Sequence, residues 1–438
     1  MRKDAYDLPV TTGSADALDC YDRGVSRLLA ANAGAEQLLA QAIQLDPDFA
    51  LAHVALARHL QLQARLDAAR ASAKQALSLA ALLGPRERGH IEAIALAVNG
   101  QGAKALAAVR AHVAEFPRDA LVLSLALGVY GLIAFSGRKG HHAEQRALLE
   151  ELAPRWPGDG PGDGWFLGYL GWSLAETGEP EAGAKVVDRA LGLLPRNAHA
   201  AHARTHAYVE LGQAEAGFAF LSDWLRSYDR AAILHTHLNW HLALYELDLG
   251  RADAALARYE AAISPARATS PPMPTLADSA SFLWRCELYG AGGQKLPWAE
   301  VAALGSRVFP RAGFAFADLH AAMAAAAAGD RAGVAQRIAE LDALVADDKL
   351  PQGPIVPLLC RALDAYAQGD FAAAARLLQE ARGDFARMAG SHAQREFFDD
   401  TLIAALLRQG ERARARELLQ QRLARRPRQQ DVRWLRAT

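Results

Sequence analysis

The chain has 438 residues, 51% of them hydrophobic and 22% charged, so it can bury a large core and is not a disordered polypeptide. Its 48 Lys and Arg nearly balance 49 Asp and Glu for a net charge of −1, which excludes a globally basic nucleic-acid binder and an acidic tail protein. Three scattered cysteines, Cys20, Cys286 and Cys360, exclude a disulfide framework and a Cys-based zinc site, and no apolar run approaches the ~18 residues of a membrane span.

Residues 1–14 read as an N-terminal arm. The opening MRKDAYDLPVTTGSADALDC carries acids and a proline where a secretion signal would be apolar, so a cytoplasmic, reducing setting is expected. From residue 15 to 438 a single continuous array is predicted, because one pattern recurs throughout. It consists of an anchor glycine, a small residue at +5, a second at +12 and a proline at +17. The stretch GEPEAGAKVVDRALGLLP, with Gly178, Ala190 and Pro195, shows it whole. Gly100, Ala105 and Pro117 follow it, as do Gly410, Ala415 and Pro427. Gly250, Ala255 and Ala262 follow it without the proline, and so do Gly369, Ala374 and Ala381. Looser copies bring the anchors to 30, 64, 100, 137, 178, 212, 250, 293, 329, 369 and 410, a mean spacing of about 38, with those at 137 and 293 the weakest.

The pattern has a direct physical reading. The glycine takes the left-handed conformation that closes a helix. Small residues two turns apart on the next helix let its neighbours approach, and proline ends it. Good helix formers dominate and strand signals are nearly absent. About twenty-two helices in eleven antiparallel pairs follow, an all-α right-handed superhelix that resembles the tetratricopeptide repeat over nearly the whole chain. Pro- and Gly-rich loops are expected at 154–164, 264–274 and 349–357. The final pair, RQGERARARELLQQRLARRPRQQDVRWLRAT, is strongly basic and reads as a solvated cap, or else as a patch for an acidic partner or nucleic acid.

No phosphate loop, HExxH or CxxC is present. GWSLA at 171–175 lies in a predicted helix and is not a nucleophile elbow. GDGPGDG has too few acids for a calcium loop. The pair His141-His142 flanks a loop and is expected to be exposed.

The inner, concave side of such an array is lined by residues 13, 10 and 6 before each anchor. This selects Glu87 and His90, Trp165 and Trp172, His199, His202 and His206, then His237 and Trp240 with His241 beside them. Six of the fourteen histidines fall between 199 and 241. His202 and His206 share a helical face, and so do His237 and His241. These imidazoles read as polar groove lining, as a small-molecule or catalytic pocket, or as ligands of a divalent transition metal. No cofactor is otherwise expected.

Several segments resemble one group, the tetratricopeptide repeat protein 38 family. They are LDPDFALAHVALA, HARTH, HLNWHLALYELDLGRADAAL, DSASFLWR, FADLH, PLLCRAL and GSHAQREFF, in the family's order. After HxxxH this chain reads Ala207-Tyr208-Val209, where the family has a further aromatic or His and then Glu. The resemblance implies a residue set of His53, His90, His202, His206, His237, Trp240, His241, Asp278, Ser281, Arg285, Asp318, His320, Gln394 and Arg395, but no reaction. The expected function is therefore partner-protein or peptide binding in the concave groove, without nucleic acid or membrane. The alternative is a small-molecule or enzymatic pocket. In it, His202, His206, His237, His241, Asp278 and His320 are the catalytic candidates, with a His–Asp pair as base. Arg285 or Arg395 would hold an anion there, and Trp165, Trp172 and Trp240 would form apolar walls.

Overall fold

The computed structural model describes residues 2–291 and 295–438. Among these, twenty-three α-helices account for nearly all of the regular structure. They form eleven pairs and one final helix. The first pairs are α1 (Ala15–Leu29) with α2 (Ala35–Leu45), α3 (Ala50–Leu62) with α4 (Leu66–Leu79), and α5 (Pro85–Val98) with α6 (Gly102–Glu115). Next come α7 (Ala120–Ser124) with α8 (His141–Leu152), α9 (Pro161–Glu176) with α10 (Pro180–Leu193), and α11 (Ala198–Glu210) with α12 (Ala214–Leu225). The series continues with α13 (His235–Asp248) and α14 (Ala252–Arg258), which runs on into a π-helical turn at Tyr259–Ile263, then α15 (Pro272–Tyr289) and α16 (Trp298–Val308). It ends with α17 (Ala315–Ala328) and α18 (Arg331–Ala346), α19 (Ile355–Ala367) and α20 (Phe371–Ala381), α21 (His392–Arg408) and α22 (Arg412–Arg425), and the lone α23 (Gln429–Arg436). The fold is the all-α array of helix pairs that the periodicity predicts.

The anchors do what the pattern requires. Gly100, Gly137, Gly178, Gly212, Gly250, Gly329, Gly369 and Gly410 all have φ between +65° and +95°, the region that closes a helix and turns the chain. Two anchors differ. The first turn puts Ala31 rather than Ala30 in this region, and α15 closes on Gly290 at φ +66°. The expected anchor Gly293 lies outside the described residues. At +5, Ala35, Ala69, Ala105, Ala255, Ala374 and Ala415 are all buried. Close approach is clearest between α9 and α10, where a Cβ on Gly183 would come within 2.5 Å of the Gly171 carbonyl oxygen.

The three punctuated loops are shorter than expected. Pro161, Pro272 and Pro357 stand in the first turns of α9, α15 and α19, where a missing N–H costs nothing, so helix absorbs the ends of 154–164, 264–274 and 349–357. Asp163 explains GDGPGDG without calcium. Its Oδ2 accepts the N–H groups of Gly158, Asp159 and Gly160, at 3.1, 3.3 and 3.4 Å, and so caps its own helix. Ser173 of GWSLA sits inside α9 and donates to the Leu170 carbonyl at 2.8 Å, as an ordinary helical serine does. The weak copy at 137 has a first helix of only five residues, α7. It stops ahead of Gly128, at φ +82°, and Gly131, where a Cβ would lie 2.3 Å from the Leu127 oxygen.

The chain divides into two compact units. The first comprises residues 1–136, 142–204 and 228–233, and the second 137–141, 205–227 and 234–438. Each has its own apolar core, one around Phe49, Leu51, Ile91 and Trp165, the other around Trp240, Phe282, Trp284 and Phe397.

Each unit also joins elements distant in sequence. In the first, the turn after α1 meets the start of α11: Ala198 N–H donates to the Ala30 carbonyl at 3.0 Å, and Asn32 donates to the Arg196 carbonyl at 3.0 Å. There the N-terminal arm forms a two-residue antiparallel ladder, Arg2–Lys3 with Pro9–Val10, and docks through Thr11, whose N–H and hydroxyl reach the two Glu87 oxygens at 2.8 and 2.7 Å. In the second, the segment beyond α22 reaches back to α11 and α13. Arg426 donates to the Val209 carbonyl at 2.9 Å, and Arg433 to the Leu247 and Asp248 carbonyls at 3.0 and 3.1 Å.

Candidate functional site

Every candidate residue except His53 and His199 is at most 8% exposed, so these side chains face packed interior rather than an open, solvated groove. In the second unit, α11 and α13 bring His206, His237 and His241 together. The His241 ring meets both His206 and His237 edge-on, with centroids 4.9 Å apart in each case. From α15, Asp278 accepts the His237 Nδ1 hydrogen, with both carboxylate oxygens 3.0 Å away. The Trp240 ring stacks on His237 at 5.2 Å and donates its Nε1 hydrogen to the Ser281 hydroxyl at 3.2 Å. Their order on two helices follows from the sequence. His237, Trp240 and His241 occupy one face of α13, and Asp278 and Ser281 one face of α15.

Arg285 is engaged by backbone and rings. Its Nη1 and Nη2 donate to the carbonyls of Ser281 and Ala393, at 3.0 and 2.6 Å, and the guanidinium lies between the Trp240 and Phe397 rings, at 5.5 and 5.6 Å. The α21 candidates are likewise committed. Gln394 and Ser391 form a reciprocal capping box, and Arg395 donates to the carbonyls of Ala389 and Gly390. Asp318 is held by the N–H groups of Gly313 and Phe314, at 2.9 and 2.8 Å, and by Arg337 at 2.6 Å. Burial is the larger influence on its carboxyl and raises its pKa. His320 donates to the Phe316 carbonyl at 2.7 Å, and burial pulls its pKa down to about 4, against a smaller upward effect of that hydrogen bond.

The remaining candidates belong to the first unit: His53, His90, Trp165, Trp172 and His202. His53 bonds the Pro47 carbonyl at 2.9 Å and steadies the approach to α3. His90 is the centre of a network that the sequence only half discloses. Its Nδ1 lies 3.0 and 2.8 Å from the two Asp119 oxygens, while His112 Nε2 and Arg86 Nε reach the second of those oxygens at 2.8 and 3.0 Å. Arg86 also holds Asp4 of the arm at 2.9 Å. Burial alone would raise the Asp119 carboxyl, but His90 and Arg86 hold it well below the ordinary range. Burial lowers His90 itself, and its Nε2 is enclosed without a hydrogen-bond partner.

His90, His112 and Asp119 bring potential ligand atoms within 4.8 Å of one another. A metal ion there would share the Asp119 oxygen with the Arg86 guanidinium, so the donor set suits a protein-only network better. His112 carries a readable signal. It stands at +12 from Gly100, where the pattern asks for a small residue, and Gly89 makes room for it, since a Cβ there would lie 2.8 Å from His112 Nδ1.

Two surface expectations are corrected. His141 and His142 are buried rather than exposed, and His142 faces Glu176 at 3.6 Å and the Trp172 ring at 5.3 Å. The basic last pair is not simply a solvated cap. Arg422 and Arg428 reach Asp400 at 2.8 and 2.7 Å, both also pair with Asp431 at 3.0 Å, and Arg426 pairs with Glu396, all within the second unit. Buried charges require such partners.

No family model matches the chain. It is similar to the solved structure of yeast Tom70, with 14% identity over 96% of this chain and 95% of that one and a TM-score of 0.34. A monomeric IFIT1 mutant with Gppp-AAAA matches at 14% identity over 94% of this chain and 91% of that one, with a TM-score of 0.43. The TPR domain of P58(IPK) matches at 15% identity over 93% and 89%, with a TM-score of 0.24. Among the described residues, no helix is long and apolar enough to cross a membrane.

Proposed function

We propose that this protein is a binding scaffold that engages a partner protein through the outer edge of its first unit. The supporting observation is an exposed apolar edge on the second helices of the first two pairs. Leu66 and Leu77 lie eleven residues apart on one face of α4 and are 44% and 47% exposed, and Leu82 just beyond is 97% exposed. The ion pair between Glu36 and Arg65, at 2.6 Å, aligns the start of α2 with the start of α4. Leu45, at the far end of α2, is likewise 44% exposed. The inner-face candidates support the same reading, since most are committed to one another or to backbone. An amphipathic partner segment that buries these leucines fits the edge. Cross-linking from residues beside Leu77 and Leu82 to a stoichiometrically co-purified protein tests this reading. Cross-links confined to other faces would refute it.

A second reading rests on the His237–Asp278 bond. A carboxylate on Nδ1 fixes the tautomer and orients the ring, an arrangement common among metal-binding and general-base histidines. With His241 beside it, the two imidazoles suit a small polar molecule or part of the ligand set of a divalent transition metal. Elemental analysis of the purified chain tests the metal form of this reading. Less than about 0.1 equivalent of zinc, iron, copper and nickel together would end it.

A further inference from the structure

We propose that the first unit holds a site for a small oxyanion, a carboxylate or a phosphate group, at Arg58 beside Tyr169. Arg58 lies six residues before the anchor Ala64, the offset that marks the inner side of a first helix. Its Nη1 donates to the Gln61 side-chain oxygen at 2.7 Å, and Gln61 is fixed in turn by donating to the Ala97 carbonyl at 2.8 Å. That leaves the Nε and Nη2 edge, the pair of parallel donors that grips a carboxylate or phosphate in bidentate fashion. Nε is enclosed and has no hydrogen-bond partner, and no carboxylate among the described residues pairs with Arg58. This sets Arg58 apart from Arg86, Arg337, Arg422, Arg426 and Arg428, each of which has an acid against it.

The surroundings fit an acceptor-only ligand. Tyr169 lies close enough to act on the Arg58 charge, and its ring contacts Trp165 and His199, each at 5.2 Å between centroids. The Trp165 Nε1 hydrogen is a second buried donor without a partner. Burial keeps the Tyr169 hydroxyl protonated, so it too can donate. The Arg58 Nε, the Trp165 Nε1 and the Tyr169 hydroxyl are donors on side chains linked through Tyr169, a set that an oxyanion satisfies and a cation or apolar group does not. Arg58, Tyr169 and His199 are each partly exposed, so a small solute has a way in.

The test is calorimetric titration of the full chain with inorganic phosphate and, separately, with acetate, which tells the two sources apart. Wild type should bind at least one of them saturably, with quenching of tryptophan emission. Arg58→Met should weaken that binding by about tenfold or more, and Arg58→Lys, which keeps the charge but loses the fork, should weaken it too. Melting without added anion is the control for folding. Removing a guanidinium that has no acid against it should leave the melting temperature of Arg58→Met unchanged or raised. Absence of binding of either anion by wild type at about 10 mM overturns the proposal. So does undiminished binding by both variants, or a fall in the anion-free melting temperature of Arg58→Met.

Discussion

His237 on α13 and Asp278 on α15 are joined by a buried hydrogen bond in which both carboxylate oxygens lie 3.0 Å from the ring Nδ1. The bond links consecutive first helices of the second unit, with the Trp240–Ser281 bond one turn further along the same two helices. Replacing His237 or Asp278 by Ala should each destabilise the protein, while the double replacement costs less than the sum. A coupling of about 1–3 kcal/mol is expected for a buried charge-assisted bond, measurable by urea denaturation of the four proteins.

The C-terminal ion network predicts acid sensitivity. Burial alone would raise Glu396, but Arg426, Arg428 and Arg422 hold its carboxyl well below the ordinary Glu range. A depressed carboxyl contributes stability that is fully present above the unfolded pKa near 4.5 and is lost as pH falls through the folded value. Denaturation midpoints should therefore drop below about pH 4.5. Glu396→Gln should cost about 3–5 kcal/mol at pH 7 through the arginines left unpaired, and should flatten that acid limb.

His320 predicts a different window. Its pKa is lowered by burial to about 4, so its contribution is present above the unfolded value near 6.5 and shrinks between there and about 4. His320→Gln should remove up to ~1.4 kcal/mol per pH unit from the slope of stability against pH between 6 and 5. Equal slopes for the two proteins over that range would contradict the assignment.

Ala64 closes α3 at φ +58°, a conformation that costs an L-residue about 1–2 kcal/mol. Ala64→Gly should raise stability by up to about 1 kcal/mol, once the extra freedom of the unfolded chain is allowed for. Thermal denaturation at pH 7 provides the check.

The repeat was legible because it rests on local chemistry: left-handed glycines at Gly178, Gly250, Gly369 and Gly410, and alanines where helices touch. The loops were overestimated because Pro161, Pro272 and Pro357 read as breakers, although proline is well suited to a helix start. For the polar clusters, spacing along the chain located His206, His237 and His241 but not their partners, which arrive from helices distant in sequence. Departures from the repeat were the overlooked signal. His112 and Arg422 both stand at +12, where other copies carry a small residue, and both end in buried polar networks. Arg58 was invisible for the opposite reason, since its distinction is a partner it lacks.

The most direct test of the scaffold reading is the affinity of the co-purified partner for wild type and for the Leu77→Lys, Leu82→Lys double variant. Both side chains are exposed, so stability should change by no more than about 0.5 kcal/mol per site. Affinity should fall by about tenfold or more if they form the centre of the contact. Wild-type affinity in a stably folded double variant would contradict the account.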